Sequence, residues 1–170
     1  MAAGELYVKY HSGMTTVSAS SRYSYSNGVF TQNNSGQWVD AYKEWGLSFS
    51  ETSLSALMTP APNKSNVENK SRLLNGKQVS TNMSLRKKDE RDINIEMHIT
   101  AANKTAFMQR YDRVCSYLFD YGRMEVINGY IPTKVYRLDY LNCSQFKQFM
   151  QQIAKFTLRV NEPDPTNRSI

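Results

Sequence analysis

DINIEMHITAANKTAFMQRYDRVCSYLFDYG, residues 92–122, reads as a strand followed by a helix, and the rest of the chain can be arranged around it. Ile93, Ile95, Met97 and Ile99 alternate with Asp92, Asn94, Glu96 and His98, a period of two that puts one row in a core and the other in water. The period then changes. Phe107, Met108, Tyr111, Val114, Cys115, Leu118 and Phe119 recur at steps of three and four, which predicts one broad apolar helix face over residues 104–121. Thr100 or Asn103 can cap its start, and Gly122 can take the left-handed conformation that ends it. Apolar residues at helical spacing are the ordinary signature of packing, so this unit describes a fold and not a cofactor site.

At 170 residues the chain is long enough to bury a core without a metal or disulfide staple, and it is expected to form a single domain. Eleven tyrosines and seven phenylalanines supply bulk to a composition that is otherwise polar. The start, MAAGELYVKYHSG, lacks a basic head and a continuous apolar run, and no later segment has the length to cross a membrane. A soluble protein made in a cytoplasm is therefore expected, in which seven Asn-x-Ser/Thr triplets carry no glycan and Cys115 and Cys143 are reduced thiols.

Working outward, a short strand is predicted over 5–10, with Leu6, Val8 and Tyr10 alternating with Tyr7 and Lys9, and a second over 15–25 ahead of an Asn27-Gly28 turn. Residues 30–37 read as a loop, Trp38 to Trp45 as helix or strand, Leu47 to Phe49 as strand, and Ser53 to Met58 as a turn of helix ended by Pro60 and Pro62. A strand over 78–87 (Val79, Thr81, Met83, Leu85 on one face) would form a hairpin with the strand at 92. A second hairpin would run from Met124 through the Asn128-Gly129 turn to Leu141, a closing strand over 153–160, and an extended tail over 161–170. Strands joined by short turns with one good helix make an α+β domain: an antiparallel β-sandwich or incomplete barrel with the helix laid against it.

The net charge of +6 is concentrated in the middle, where residues 60–91 hold eight basic residues against three acidic ones. Within them, 60–76 reads as a long polar arm. Lys64, Val67, Lys70, Arg72, Leu73 and Leu74 are its candidate subunit-interface residues, while Arg86, Lys87, Lys88 and Arg91 form a candidate basic patch. The tyrosines are not interleaved with that charge, which makes nucleic-acid binding by 60–91 the lesser reading. For catalysis the two histidines, His11 and His98, sit in no motif with a nucleophile or second ligand, and the scattered glycines form no phosphate loop. No catalytic residue, cofactor, metal or small-molecule substrate is expected.

Five segments, WGLSFSETSLSALMTPAPNKSNVENKSRLLNGKQV from Trp45, RDINIEMHI from Arg91, KTAFMQRYDRVCSYLF from Lys104, KVYRLDYLNCSQF from Lys134 and AKFTLRVNEPDP from Ala154, together resemble the distal tail protein family of long-tailed phages, in its amino-terminal ring-forming domain. The resemblance covers residues 45–168. The Ser/Tyr-rich start does not match, and no second, carbohydrate-binding-like domain is expected, which keeps tail tube and tail terminator subunits as alternatives. The resemblance implies a structural phage or prophage tail protein in a baseplate hub, forming a ring, usually of six subunits, between the tail tube and the adsorption apparatus. Its partners would be itself and other tail proteins, with DNA only as cargo through the lumen, in a virion tail assembled in the bacterial host cytoplasm.

Overall fold

The computed structural model describes residues 5–65, 68–69, 78–79 and 82–170. In order these form β1 (Leu6–Lys9), β2 (Arg22–Ser26), β3 (Val29–Gln32), β4 (Trp38–Asp40), α1 (Ala41–Trp45), β5 (Leu47–Phe49), α2 (Glu51–Met58), β6 (Glu68–Asn69), β7 (Gln78–Val79), β8 (Arg91–Thr100), α3 (Lys104–Val114), β9 (Arg123–Asn128), β10 (Tyr136–Phe149) and β11 (Ile153–Glu162). Nine strands make one antiparallel sheet in the order β3-β2-β4-β1-β9-β10-β11-β8-β5, and β6 pairs with β7 apart from it. The sheet curls until β5 comes within 8 Å of β1, Cα to Cα, with α1 lying against both. The expected α+β architecture is therefore present, in its incomplete-barrel form.

β8 keeps the expected alternation, with Ile93, Ile95, Met97 and Ile99 buried and Asp92 and Asn94 exposed. Ala154, Phe156, Leu158 and Val160 of β11 lie beside that row in register and complete the wall of the main core. The helix starts at Asn103, whose side chain accepts from the Ala106 N–H at 2.9 Å, and buries Phe107, Val114 and Leu118. Its last stretch, Cys115–Phe119, widens to a π-helix. Met108, expected on the buried face, is exposed.

A second core lies on the other side of β1, because the β2–β3 hairpin folds over it. Tyr7 stacks on Phe30 with ring centroids 3.6 Å apart, and Trp38, Ile127 and Val135 surround the pair. Burial and the nearby Asp40 push the Tyr7 phenol up to about 12. β1 thus has both faces covered, where its alternation predicted one. The hairpin itself turns at Asn27-Gly28 as expected, but β2 begins only at Arg22 and β3 occupies the first part of the predicted loop. Trp38 to Trp45 is strand and then helix. The switch occurs at Asp40, whose carboxylate accepts from the Tyr42 and Lys43 N–H groups and caps α1.

Two further expectations fail. Of the strand predicted over 78–87 only Gln78–Val79 is strand among the described residues, pairing with β6, while Met83–Leu85 is a 3-10 turn whose Met83 and Leu85 are exposed. Asn82 accepts from the Ser84 N–H, a local bond that competes with strand pairing, and β8 finds its neighbours in β5 and β11 instead. The Asn128-Gly129 turn does not join β9 tightly to β10, because Ile127 and Asn128 pair with β1 and leave β10 to start at Tyr136. The tail over 161–170 is tied to the fold: the Val135 N–H donates to the Arg168 carbonyl, and Arg137 donates to the carbonyls of Asn167 and Ser169.

Candidate assembly surfaces

A narrow stem joins residues 62–64, at the start of the predicted arm, to residues 87–89. Lys64 N–H donates to Lys87 O and Asp89 N–H to Pro62 O, both at 2.9 Å, and Lys88 Nζ donates to Asn63 Oδ1 at 2.9 Å. Beneath the stem lies Arg91. Its side chain is 5% exposed; Nε donates to Glu162 Oε2 at 2.5 Å, and the other nitrogens donate to the carbonyls of Ala56, Leu57 and Thr59 at the end of α2. Glu162 is also held by Arg168, whose Nε and Nη2 both donate to it at 2.8 Å. One carboxylate between two guanidiniums, with backbone carbonyls taking the remaining donors, offsets the desolvation of a buried charge.

That placement corrects the predicted basic patch. Arg86, Lys87 and Lys88 are exposed, but Arg91 is withdrawn into this ion pair and has no face for a phosphate. The alternation of β8 begins one residue earlier than read: Arg91 falls on the buried row with Ile93, and that parity was the available signal. Of the candidate arm residues Lys64 is exposed, while Val67, Lys70, Arg72, Leu73 and Leu74 lie outside the described residues.

The residues singled out for chemistry fall apart in space. His98 lies on the outer face of β8, its pKa lowered by burial and by Lys155. His11 lies near the end of β1, accepting from the Gly13 N–H through Nδ1 and donating from Nε2 to Tyr117 O at 2.9 Å. Cys115 and Cys143 are free, each thiol raised by burial. No group of three His, Cys, Asp or Glu side chains among the described residues is placed to hold a metal ion, and no helix among them is long and apolar enough to cross a membrane.

Sequence reasoning missed the outer half of β10. Its run Asn142, Cys143, Ser144, Gln145, Lys147, Gln148 is polar and reads as loop, yet it continues the strand to Phe149. β9 accompanies β10 only over Tyr136–Asp139, and beyond Tyr140 its sole strand partner among the described residues is β11. The long β10–β11 hairpin therefore presents an open strand edge. Two register shifts, at Tyr140/Asn142 and Cys143/Gln145, leave Gln145 to Phe149 as its regular stretch. Leu141, Phe146, Met150 and Ile153 are exposed along it, with Phe146 resting on Tyr111 of α3 at 5.6 Å between centroids. Open edges of this length are normally paired, covered or blunted.

At the other end of β10 is a cavity of about 220 Å³ between β1, β9 and the π-helical turn. Val8, Met14, Leu118 and Met124 form its apolar floor, and His11, stacked on Tyr121 at 3.9 Å, forms one wall. Lys9 paired with Glu125 at 2.9 Å, and Arg123 paired with Asp139 at 2.8 Å, stand at its mouth.

No family model matches the sequence, and no curated protein matches it. Among solved structures the chain is similar to the Dit protein (gp 19.1) of phage SPP1, described as a paradigm of the hub adsorption apparatus in phages infecting Gram-positive bacteria. The likeness has 13% identity and a TM-score of 0.46, over 64% of this chain and 42% of that one. The chain thus spans less than half the length of that relative.

Proposed function

We propose that this chain is a structural subunit of a phage or prophage tail, at the distal tail or baseplate hub position, where it associates with copies of itself into a ring and with other tail proteins. The ring is hexameric in the pattern that residues 45–168 resemble, with DNA passing through its lumen. The observation that carries self-association is the open edge of β10: a strand whose backbone donors and acceptors face outward beside exposed Leu141 and Phe146 is a template for another strand. An oligomer built on it would bury more than roughly 1,000 Å² per contact.

The test is the oligomeric state of the full chain by analytical ultracentrifugation and negative-stain microscopy, alone and in assembled tails. Rings are expected, and Phe146→Glu is expected to give folded monomers. Wild-type chain that is monomeric at high concentration and absent from rings in assembled tails overturns the reading.

A further inference from the structure

We infer that the tip of the β10–β11 hairpin is a knob that seats in the cavity of the next copy of this chain, with Met150 as the inserted side chain. The inference rests on the self-assembly reading above and adds the contact that sets its geometry.

Met150 is 88% exposed, the most exposed of the large apolar residues described, and it is held there. Met150 and Gln151 both have positive φ, 49° and 56°, a conformation that few non-glycine residues adopt. The surrounding frame fixes it: Phe149 pairs with Ile153, and the Ala101 N–H donates to Gln152 O at 2.9 Å. Positive φ at successive residues is what a tight hairpin turn requires, and here it also leaves a long apolar side chain in water, open to another chain. Methionine is also the side chain best able to fill an irregular apolar hole.

The hole is on the same chain but out of reach. Its floor is two methionines, a leucine and a valine, and at about 220 Å³ it exceeds the ~150 Å³ of an apolar cavity that admits benzene. Arg123 at its mouth pairs in register with Asp139, and Met150 lies eleven residues farther on, just past the end of β10. At about 3.3 Å per residue, less some shortening at the two bulges, knob and hole are roughly 30 Å apart. Only another copy can join them. Because the two surfaces differ, the contact is head-to-tail, the type that closes rings.

The charges beside them are complementary. Lys147, three residues before the knob, is exposed and pairs with no carboxylate among the described residues, its cross-strand neighbour being Lys155, which pairs with Glu96. Asp120, next to Tyr121 on the cavity wall, is exposed and pairs with no cation among them. Seating the tip brings this free cation to that free carboxylate, an interaction that steers docking more than it strengthens it.

The experiment uses full-length chains in a Cys115→Ala/Cys143→Ala background whose fold is checked by circular dichroism. One chain carries Met150→Cys and the other Tyr121→Cys, and the two are mixed under mild oxidation. A disulfide dimer formed in the mixture and by neither chain alone is the expected result. Met150→Asp, at a site too exposed to affect folding, is expected to weaken association at least about tenfold, while Met150→Leu retains it. The charge reversal Lys147→Glu is expected to slow association and Asp120→Lys in the same chain to restore it. Wild-type rings without the mixed disulfide, or with undiminished assembly of Met150→Asp, overturn the knob and leave the ring standing. Tip-to-tip disulfides between Met150→Cys chains overturn it as well. If wild-type chain neither assembles nor supports the mixed disulfide, both readings fall.

Discussion

Arg91 opens β8 and Glu162 closes β11, and the two meet across the end of the sheet with Nε and Oε2 2.5 Å apart and 5% and 1% of their side chains exposed. Removing Arg91 leaves the buried Glu162 with Arg168 alone and takes the donor from the Ala56, Leu57 and Thr59 carbonyls, and breaking a buried pair in this way typically costs about 3–5 kcal/mol. Arg91→Ala is therefore expected to lower unfolding free energy by an amount in that range, read as a shift in urea midpoint at constant slope. Arg91→Lys is expected to recover only part of it, because one ammonium cannot reach Glu162 and three carbonyls in a planar fork.

Gly46 and Gly28 both have positive φ, 63° and 83°, but their surroundings differ. A Cβ on Gly46 would stand 2.1 Å from Thr100 O, whereas one on Gly28 would meet nothing within 4 Å. Gly28→Ala is expected to cost about 1 kcal/mol for the dihedral alone. Gly46→Ala adds a collision between α1 and β8 and is expected to cost more than about 2 kcal/mol. Paired thermal melts of the two variants give the comparison.

Asn103→Ala removes the side-chain oxygen that accepts from the Ala106 N–H. A loss of about 1 kcal/mol is expected in the same denaturation assay, with no effect on association.

Acid sensitivity should come in two steps of the same sign. The Glu96 carboxyl is held below its ordinary 4.5 by the Ser50 and Thr52 hydroxyls and then by Lys155. The stability it contributes is full above that value and is lost as pH falls through its lower folded value. His98 is held below its ordinary 6.5, so the unfolded chain takes up this proton first and stability begins to fall as pH drops past 6.5. Melting temperature against pH is expected to lose its upper step in His98→Gln and its lower step in Glu96→Gln.

The arm can be tested apart from the hairpin. The stem bonds from Pro62–Lys64 to Lys87–Asp89 and the Arg91 pair beneath them hold together the residues on either side of the predicted arm. Replacing residues 66–81 by a short Gly/Ser linker is expected to leave the melting temperature unchanged within a few degrees. If the arm reaches onto a neighbouring subunit, tail assembly is lost; normal assembly refutes that role, and an unfolded variant places the arm in the core.

Where periodicity met a single buried face, the sequence was readable. β8, α3 and β11 alternate or recur cleanly because water lies on one side of each, and the main core follows from them. β1 was half legible: nothing local to Tyr7 shows that Phe30, twenty-three residues away, will cover it. Met83 and Leu85 have the spacing of a strand but pair with no strand among the described residues, and spacing carries no information about partners. The outer half of β10 fails for the opposite reason. It is a strand by hydrogen bonding to β11 and not by hydrophobic pattern, since residues 141–148 are all exposed. The candidate assembly surface lay in that blind spot, whereas Arg91 was given to the wrong surface by a one-residue error in where its strand begins.

β10 also has a mechanical consequence. Its fourteen residues span about 46 Å as one strand, with β9 bonded to the first part and β11 to the rest. Tension applied along it pulls the ladder in shear, so that many hydrogen bonds must yield together, while the same tension applied sideways at the hairpin tip would peel them one by one. The chain is thus built stiff along one axis and weak across it, and load passing from tip to root runs along the stiff one.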